Sequence, residues 1–565
     1  MLRRNLIPIA VAIALVFSYV VFFISEHGIP NSTSLQPWKK QSNDNIMGFP
    51  NSTDPVLGST ISLVPPSKSH YFWYQVFDVF DNNRFVPNKD WKSFLKVIIL
   101  KRPTQWGRHD KKGLLEHQDL PLEHKEQLTK LHANVLSQLP ENLGAGTYVP
   151  GTKGIVFVGG GMFSYLAYLA IVQLRDNGSE LPVEVALPTL EDYKNEYEFC
   201  EKNLLAVGAK CVVIEDKFGT AVSRKWKFSG YQYKVAAILS STFEKVFLFD
   251  ADVMTLANPD YLFESDVFKD HGLLLWPDFW FRPHSPDFYE VAKLQVNEKL
   301  RVRYKQFPLM HSVEVDENDK INFHDKEGAI SDYSTESGEL IVDKKSHGKM
   351  MLMTLYYNLL GPDIYFDFFS LGSSGTGDKD TFSIAATVTN SSYYQLKSLP
   401  YQMRFINDKQ ESKKIAHLLK EPVQDYKLFR SEMERLSEID SKGEYSMEEQ
   451  IEMLAETEKK YFSHESEIPN FCIHCNFYKF NPFTKDGHVQ DKHERLLYRE
   501  YNNLTYTIED EEIDFELKRW SIVKQALCDD KIQFYAIHDK DVDNACHYVQ
   551  STIDWLNNEG AIKPI

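Results

Sequence analysis

Lys245-Val-Phe-Leu-Phe-Asp250-Ala-Asp252-Val253 is the stretch that decides the fold. Its unbroken apolar run reads as a strand covered on both faces, as the strands of a parallel sheet are. Such sheets bind ligands outside the carboxyl ends of their strands, and Asp250 and Asp252 stand at that end, two positions apart. They supply hard oxygen donors for a divalent cation bridging a diphosphate. A bare D-x-D occurs in any acidic loop; the strand that delivers this one makes it specific. A histidine from a distant loop suits a carboxylate-bound Mn²⁺ better than Mg²⁺, which singles out His474 in Phe471-Cys-Ile-His474-Cys475-Asn476 as the third metal ligand.

Working outward, the segments around this strand alternate. Strands are predicted at 154–158, 182–187 and 210–215, and helices at 165–175, 193–205 and 231–242. Alternation of this kind implies an α/β fold with a mostly parallel, covered sheet. The domain is set at 151–485, with a charged, helical, solvated insertion near 405–465 and an extension at 486–565 packed on it. Residues 71–150 read as a helical collar, from the apolar face of Tyr71-Phe-Trp73-Tyr, Val76, Phe77 and Phe80 and an amphipathic helix at 122–139. Residues 25–70, rich in Ser, Asn, Pro and Thr, read as a flexible stem.

Ahead of the stem, Leu6 to Ile24 is a 19-residue run broken only by Pro8, Ser18 and Tyr19. At about 1.5 Å per residue it approaches the roughly 30 Å hydrocarbon core. Arg3 and Arg4 before it favour a cytosolic tail at 1–5, a transmembrane anchor at 6–24 and a translocated body. A cleaved signal is the alternative, but no small-residue cleavage site follows closely. Sequons at Asn31, Asn51, Asn177, Asn390 and Asn503 agree with translocation. Eighty acidic against 63 basic residues leave a net charge of −17, which repels nucleic acid and excludes it as a partner. The six cysteines suit an oxidising compartment without forming a disulfide scaffold. Cys200 with Cys211 and Cys528 with Cys546 are the local candidate pairs.

Other chemistry-bearing segments follow the D-x-D. Trp276-Pro-Asp278-Phe-Trp280 offers aromatics for an acceptor-sugar platform, with ordinary core as the equal alternative for both tryptophans. Glu336-Ser337-Gly338 sets small polar residues before a strand, as a floor under a ligand requires. Gly372 to Gly377 joins a glycine-rich loop to Asp378-Lys-Asp380, where either acid serves to cap a helix or to face a ligand. Cys472-x-x-Cys475 lacks the second close pair that a structural zinc site needs.

With these segments in order, the chain resembles the fungal Golgi α-mannosyltransferases that branch N-glycan outer-chain mannan. The matching pieces include Gly230-Tyr-Gln-Tyr-Lys234, Phe249-Asp-Ala-Asp252, Leu275-Trp-Pro-Asp-Phe-Trp280, Glu336-Ser-Gly338, Gly377-Asp-Lys-Asp-Thr-Phe382 and His474-Cys-Asn476. The Trp-Pro-Asp-Phe-Trp block is closest to the α-1,2 branch-initiating members rather than their α-1,3 relatives. The resemblance implies a GT-A-like nucleotide-sugar-binding domain, GDP-mannose as donor, Mn²⁺, retention of the α configuration, an N-linked mannan acceptor and a Golgi membrane location with type II topology. Within that expectation the candidate donor-binding residues are Gly159, Gly160, Lys234, Ser337 and Gly338, with a surface lysine as the equal alternative for Lys234; the acceptor candidates are Trp276, Asp278 and Trp280, and a nucleophile, if one exists, is sought at Asp378 or Asp380. Three rival readings remain: an α-1,3-mannosyltransferase of the same family, a dinucleotide-binding dehydrogenase, whose fingerprint is incomplete because Ser164 replaces its third glycine, and a membrane-anchored lectin.

Overall fold

The computed structural model describes residues 67–84, 103 and 107–562, apart from 119, 317–318, 374, 407–410, 442, 444, 462–467, 478 and 484–498. The tail at 1–5, the anchor at 6–24, most of the stem, Asn31 and Asn51 lie outside the described residues. Among the described residues no helix is long and apolar enough to cross a membrane.

Among the described residues the two longer helices ahead of the sheet are α1 (Lys68–Asn82) and α2 (Leu122–Gln138), with a short helix at Lys111–Leu115 between them. Ser67 caps α1, and its buried Trp73, Val76, Phe77 and Phe80 follow the i, i+3, i+4, i+7 spacing of one helical face. Next come β1 (Val149–Val158), α3 (Met162–Asp176), β2 (Val183–Leu187), β3 (Ala209–Val213), α4 (Gln232–Ser240), β4 (Phe243–Phe249), β5 (Val253–Thr255) and β6 (Leu273–Pro277). A small sheet of β7 (Asn297–Tyr304), β8 (Phe307–Glu314) and β9 (Lys326–Glu327) precedes β10 (Thr335–Asp343), α5 (Gly348–Leu359), α6 (Thr381–Val388) and β11 (Tyr394–Gln395). The chain continues through β12 (Tyr401–Ile406), β13 (Ser412–Lys420), α7 (Pro422–Asp440), α8 (Met447–Lys459), β14 (Asn470–His474), α9 (Phe515–Lys524) and α10 (Val542–Asn557).

The central sheet has the order β11-β6-β10-β4-β1-β2-β3. Its β4-β1-β2-β3 half is parallel, while β10 runs antiparallel to both neighbours. The α/β expectation holds, with a mixed and mostly parallel sheet. Alternate residues of β4 serve two cores: Phe247 and Phe249 pack toward α3, Val246 and Leu248 toward α4 and α5. Burial on both faces explains why the strand shows no polar alternation. Residues 499–562 lie against α3, where the buried Arg519 donates to Leu169 O and Gln173 Oε1, both at 2.9 Å. Disulfides join Cys200 to Cys211 and Cys528 to Cys546.

Two expectations need correction here. The segment near 405–465 is not a wholly helical, solvated insertion: β12 and β13 pair with β14 and β5 in a second sheet of order β12-β13-β14-β5. Only the later part forms helices, and α7 and α8 bury Leu436 and Leu454 with Phe307. The Asn177 sequon cannot carry a glycan on the folded chain, because Asn177 is 2% exposed and its Nδ2 donates to Thr255 O at 2.8 Å. Asn390 and Asn503 are exposed.

Candidate active site

At the end of β4 the chain changes sheets. Asp250 N donates to Gly338 O on β10 at 2.6 Å, and Val253 N turns back to Asp250 O at 3.0 Å. Beyond that turn β5 leaves the central sheet and pairs antiparallel with β14, setting Val253 opposite His474. Cys475 N donates to Asp252 O at 2.9 Å. The seam between the two sheets therefore brings His474 beside the two acids. One donor atom from each of Asp250, Asp252 and His474 lies within 4.8 Å of the other two.

The surroundings are strongly polar. His474 Nε2 is 3.5 Å from Asp252 Oδ1, and its Nδ1 faces Glu336 Oε1 at 3.6 Å without another hydrogen-bond partner. Glu336 Oε1 is itself fixed by the backbone N–H groups of Ser337 at 3.0 Å and Gly338 at 2.8 Å. Position 338 must lack a side chain, since a Cβ there would stand 2.8 Å from His474 Nδ1. Lys479 pairs with Asp252. Lys234 reaches Asp250 Oδ2 at 2.8 Å, Ser337 O at 3.0 Å and Asp378 Oδ2 at 4.0 Å.

Burial pushes the His474 imidazole toward its neutral form, but the carboxylates of Asp252 and Glu336 overcome it and hold the ring well above the usual histidine range. Burial likewise penalises a charged Asp252, yet His474 and Lys479 keep it below the usual carboxylate range. Lys234 is desolvated but held protonated by Asp250 and Asp378. These carboxylates face His474, Lys234 and Lys479, and two carboxylates with one imidazole form a donor set suited to a divalent metal such as Mn²⁺. The residues thus fit a divalent cation, with Nε2 of His474 as ligand and Nδ1 oriented by Glu336. Glu336→Gln is expected to weaken Mn²⁺ affinity by about 10–100-fold at unchanged melting temperature. Titration calorimetry showing equal affinity would remove Glu336 from this role.

The three residues sit in a cavity of about 930 Å³ at the carboxyl ends of the central strands. Gly159 to Gly161, Phe163 and Pro188 line it beyond β1 and β2, Asp278, Trp280, His417 and Phe477 also line it, and Tyr231, whose ring lies against Gly377, and Asp378 complete the wall. Asp378 is buried; its Oδ1 accepts from Ser337 Oγ at 3.2 Å while Oδ2 has no hydrogen-bond partner. Burial raises its carboxyl to about 6. Asp278 also lines the cavity, paired with Lys379 at 2.8 Å.

Several expected site residues stand elsewhere or act differently. Trp276 is no sugar platform: it is fully buried, its ring in a mutual triad with Phe247 and Phe471 at 6.1 Å from each, its Nε1 donating to Lys420 O at 2.9 Å. Asp380 does not face the cavity: it is buried against Arg282 and accepts from Ser334 Oγ at 2.7 Å and Thr335 N at 2.9 Å. Gly159 and Gly160 line the cavity, but their N–H groups, with that of Gly161, are already given to Ala186 O, Ser164 Oγ and Glu196 Oε1. The glycine turn therefore offers room rather than an anion cradle, which also counts against the dinucleotide reading. Cys472 and Cys475 are buried free thiols outside the Asp250, Asp252 and His474 group, the metal-type cluster found among the described residues. Ser337 lines the cavity, whereas Gly338 does not and stands instead behind His474. The sequence did not point to Glu336, Lys479, Lys379, His417 or Phe477 individually; Glu336 and His417 acquire their roles only through pairing across strands.

A family model described as a mannosyltransferase matches residues 152–432. The α-1,2-mannosyltransferase MNN23 of Candida albicans is 38% identical over 513 residues, covering 86% of this chain and 84% of that protein. MNN22 of the same organism, also named an α-1,2-mannosyltransferase, is 34% identical, with 93% and 92% covered. The α-1,2-mannosyltransferase MNN2 of Saccharomyces cerevisiae is 31% identical, with 73% and 70% covered. Among solved structures, mouse xyloside xylosyltransferase 1 aligns over 43% of this chain and 85% of that one at TM-score 0.27 and 14% identity. The glycosyltransferase GlyE of Streptococcus pneumoniae aligns over 43% and 45% at TM-score 0.25 and 14% identity.

Proposed function

The chain belongs to the fungal family of α-1,2-mannosyltransferases, and from that membership we propose that it moves mannose from GDP-mannose to α-mannan acceptors on N-glycans, forming α-1,2 branches with retention of configuration. In this reading it is a single-pass type II Golgi membrane protein with a lumenal body, and Mn²⁺ is its cofactor. The observation that carries the proposal is the meeting of Asp250, Asp252 and His474 at the sheet's carboxyl edge, inside the cavity.

The residues divide the work along the cavity. The open turn at Gly159 to Gly161 and the exposed rings of Phe163 and Tyr231 receive the nucleoside. Asp250, Asp252 and His474 would hold a divalent cation, which would supply positive charge against the departing diphosphate. Lys234, fixed by Asp250 and Ser337, adds a positive charge at the same place. Asp378, a buried carboxylate in the cavity lining with Lys234 4.0 Å from its Oδ2, is placed to stabilise positive charge developing at the anomeric carbon. Glu336 holds His474 in its ligating orientation.

Incubation of the detergent-solubilised full chain with GDP-mannose and an α-1,6-linked mannobioside, followed by linkage analysis, tests the reading. An α-1,2-linked mannose is the expected product. An α-1,3 linkage would overturn the branch assignment, and binding of the mannobioside without GDP release would make the protein a lectin.

A further inference from the structure

The order of the central sheet lays out the cavity from one end to the other. The glycine turn and Pro188 lie beyond β1 and β2, Asp250 and Asp252 beyond β4, and Asp278 and Trp280 beyond β6. A donor running from nucleoside to diphosphate to sugar along this axis leaves the β6 end for the second substrate. The second sheet closes that end.

There the side chains change character. Phe477, just past β14, is 50% exposed although it lines the cavity. Its ring lies 5.7 Å from that of His417 on β13, and His417 stands edge-on to Phe279 at 4.7 Å, with Trp280 next to Phe279 at 6.2 Å. One face of Phe477 has Lys414 Nζ at 5.9 Å. A half-exposed phenylalanine at a cavity mouth leaves apolar surface in water, and the C–H face of a neutral sugar covers such surface while its hydroxyls stay hydrated or meet the imidazole. We propose that Phe477, with His417 and Trp280, is the platform that receives the acceptor, a neutral hydroxyl-rich hexose, so that the second sheet rather than the nucleotide half selects it. This rests on the transferase reading given above. It moves the platform from Trp276, which is sealed in the core, to a residue that sequence pattern did not mark.

The test is steady-state transfer by the full chain in detergent, with GDP-mannose, Mn²⁺ and α-1,6-mannobiose. Phe477→Ala is expected to raise the KM for mannobiose about tenfold, equivalent to about 1.4 kcal/mol of lost contact. The KM for GDP-mannose should stay within twofold, and more GDP should be released per mannose transferred. Phe477→Tyr should restore the acceptor KM. An unchanged acceptor KM, or an equal rise in the donor KM pointing to a nucleotide contact, would overturn the proposal. If the wild-type protein releases no GDP, the donor assignment fails instead, and calorimetric titration of mannobiose into wild type and Phe477→Ala still reads the platform. Loss of binding in the variant supports it; retained binding overturns it.

Discussion

Asp250→Ala and Asp252→Ala are each expected to lower mannosyl transfer by about 10³-fold or more, with the fold retained; the melting temperature should change little in Asp252→Ala and fall in Asp250→Ala, which leaves the buried Lys234 without its carboxylate at 2.8 Å. The loss is large because each substitution removes an anionic donor from the place where the diphosphate's charge must be balanced, in a cavity where electrostatic terms are strong. The fold should persist because the backbone contacts that define the turn, Asp250 N to Gly338 O and Cys475 N to Asp252 O, do not use the side chains. Lys479, freed from Asp252, is partly exposed and can return to water. Asp252→Asn keeps the shape and deletes the charge, so it should fall nearly as far as Asp252→Ala. Circular dichroism and a thermal melt beside the transfer assay check both halves of the expectation; near-normal transfer by either alanine variant would contradict it.

The second large effect separates two acids that are neighbours in sequence. Asp378→Asn is expected to cut kcat by about 10²–10³-fold, the scale of one lost electrostatic partner of the transition state, while the protein stays folded. Asp380→Ala should instead cost about 3–5 kcal/mol of stability, because it leaves the fully buried Arg282 guanidinium without its carboxylate. The reduced melting temperature would accompany poor recovery of folded protein. An Asp380→Ala variant as stable as wild type but inactive would return Asp380 to the chemistry, and an active Asp378→Asn would take Asp378 out of it.

What was legible in the sequence follows from range of interaction. The Val246 to Phe249 run and its two acids announce themselves because a doubly covered strand needs continuous apolar residues and its ligand-facing end does not. The collar helix α1 is legible in the spacing of Trp73, Val76, Phe77 and Phe80. The second sheet was hidden because its strands meet only in space: β13 carries Lys413, Lys414 and His417, which resemble a solvated segment until β14 pairs with it. The same limit blurred Trp276 and Trp280. The first lies within β6, where both faces are covered and alternation carries no information, and the second stands past the strand end beside the cavity. Asp378 and Asp380 are told apart by partners distant in sequence, above all Arg282, nearly a hundred residues before Asp380. Asn177 satisfies the sequon pattern, yet its amide is spent on Thr255.

The central claim, that this cavity turns over GDP-mannose through the Asp250, Asp252 and His474 group, is tested most directly by the cation dependence of GDP release. Purified full chain in detergent, stripped with EDTA and supplied with GDP-mannose and mannobiose, should release no GDP, and added Mn²⁺ should restore both GDP release and mannose transfer, but not in Asp252→Ala. Transfer from GDP-mannose that continues undiminished in EDTA, or that Asp252→Ala supports as well as wild type, would contradict the account.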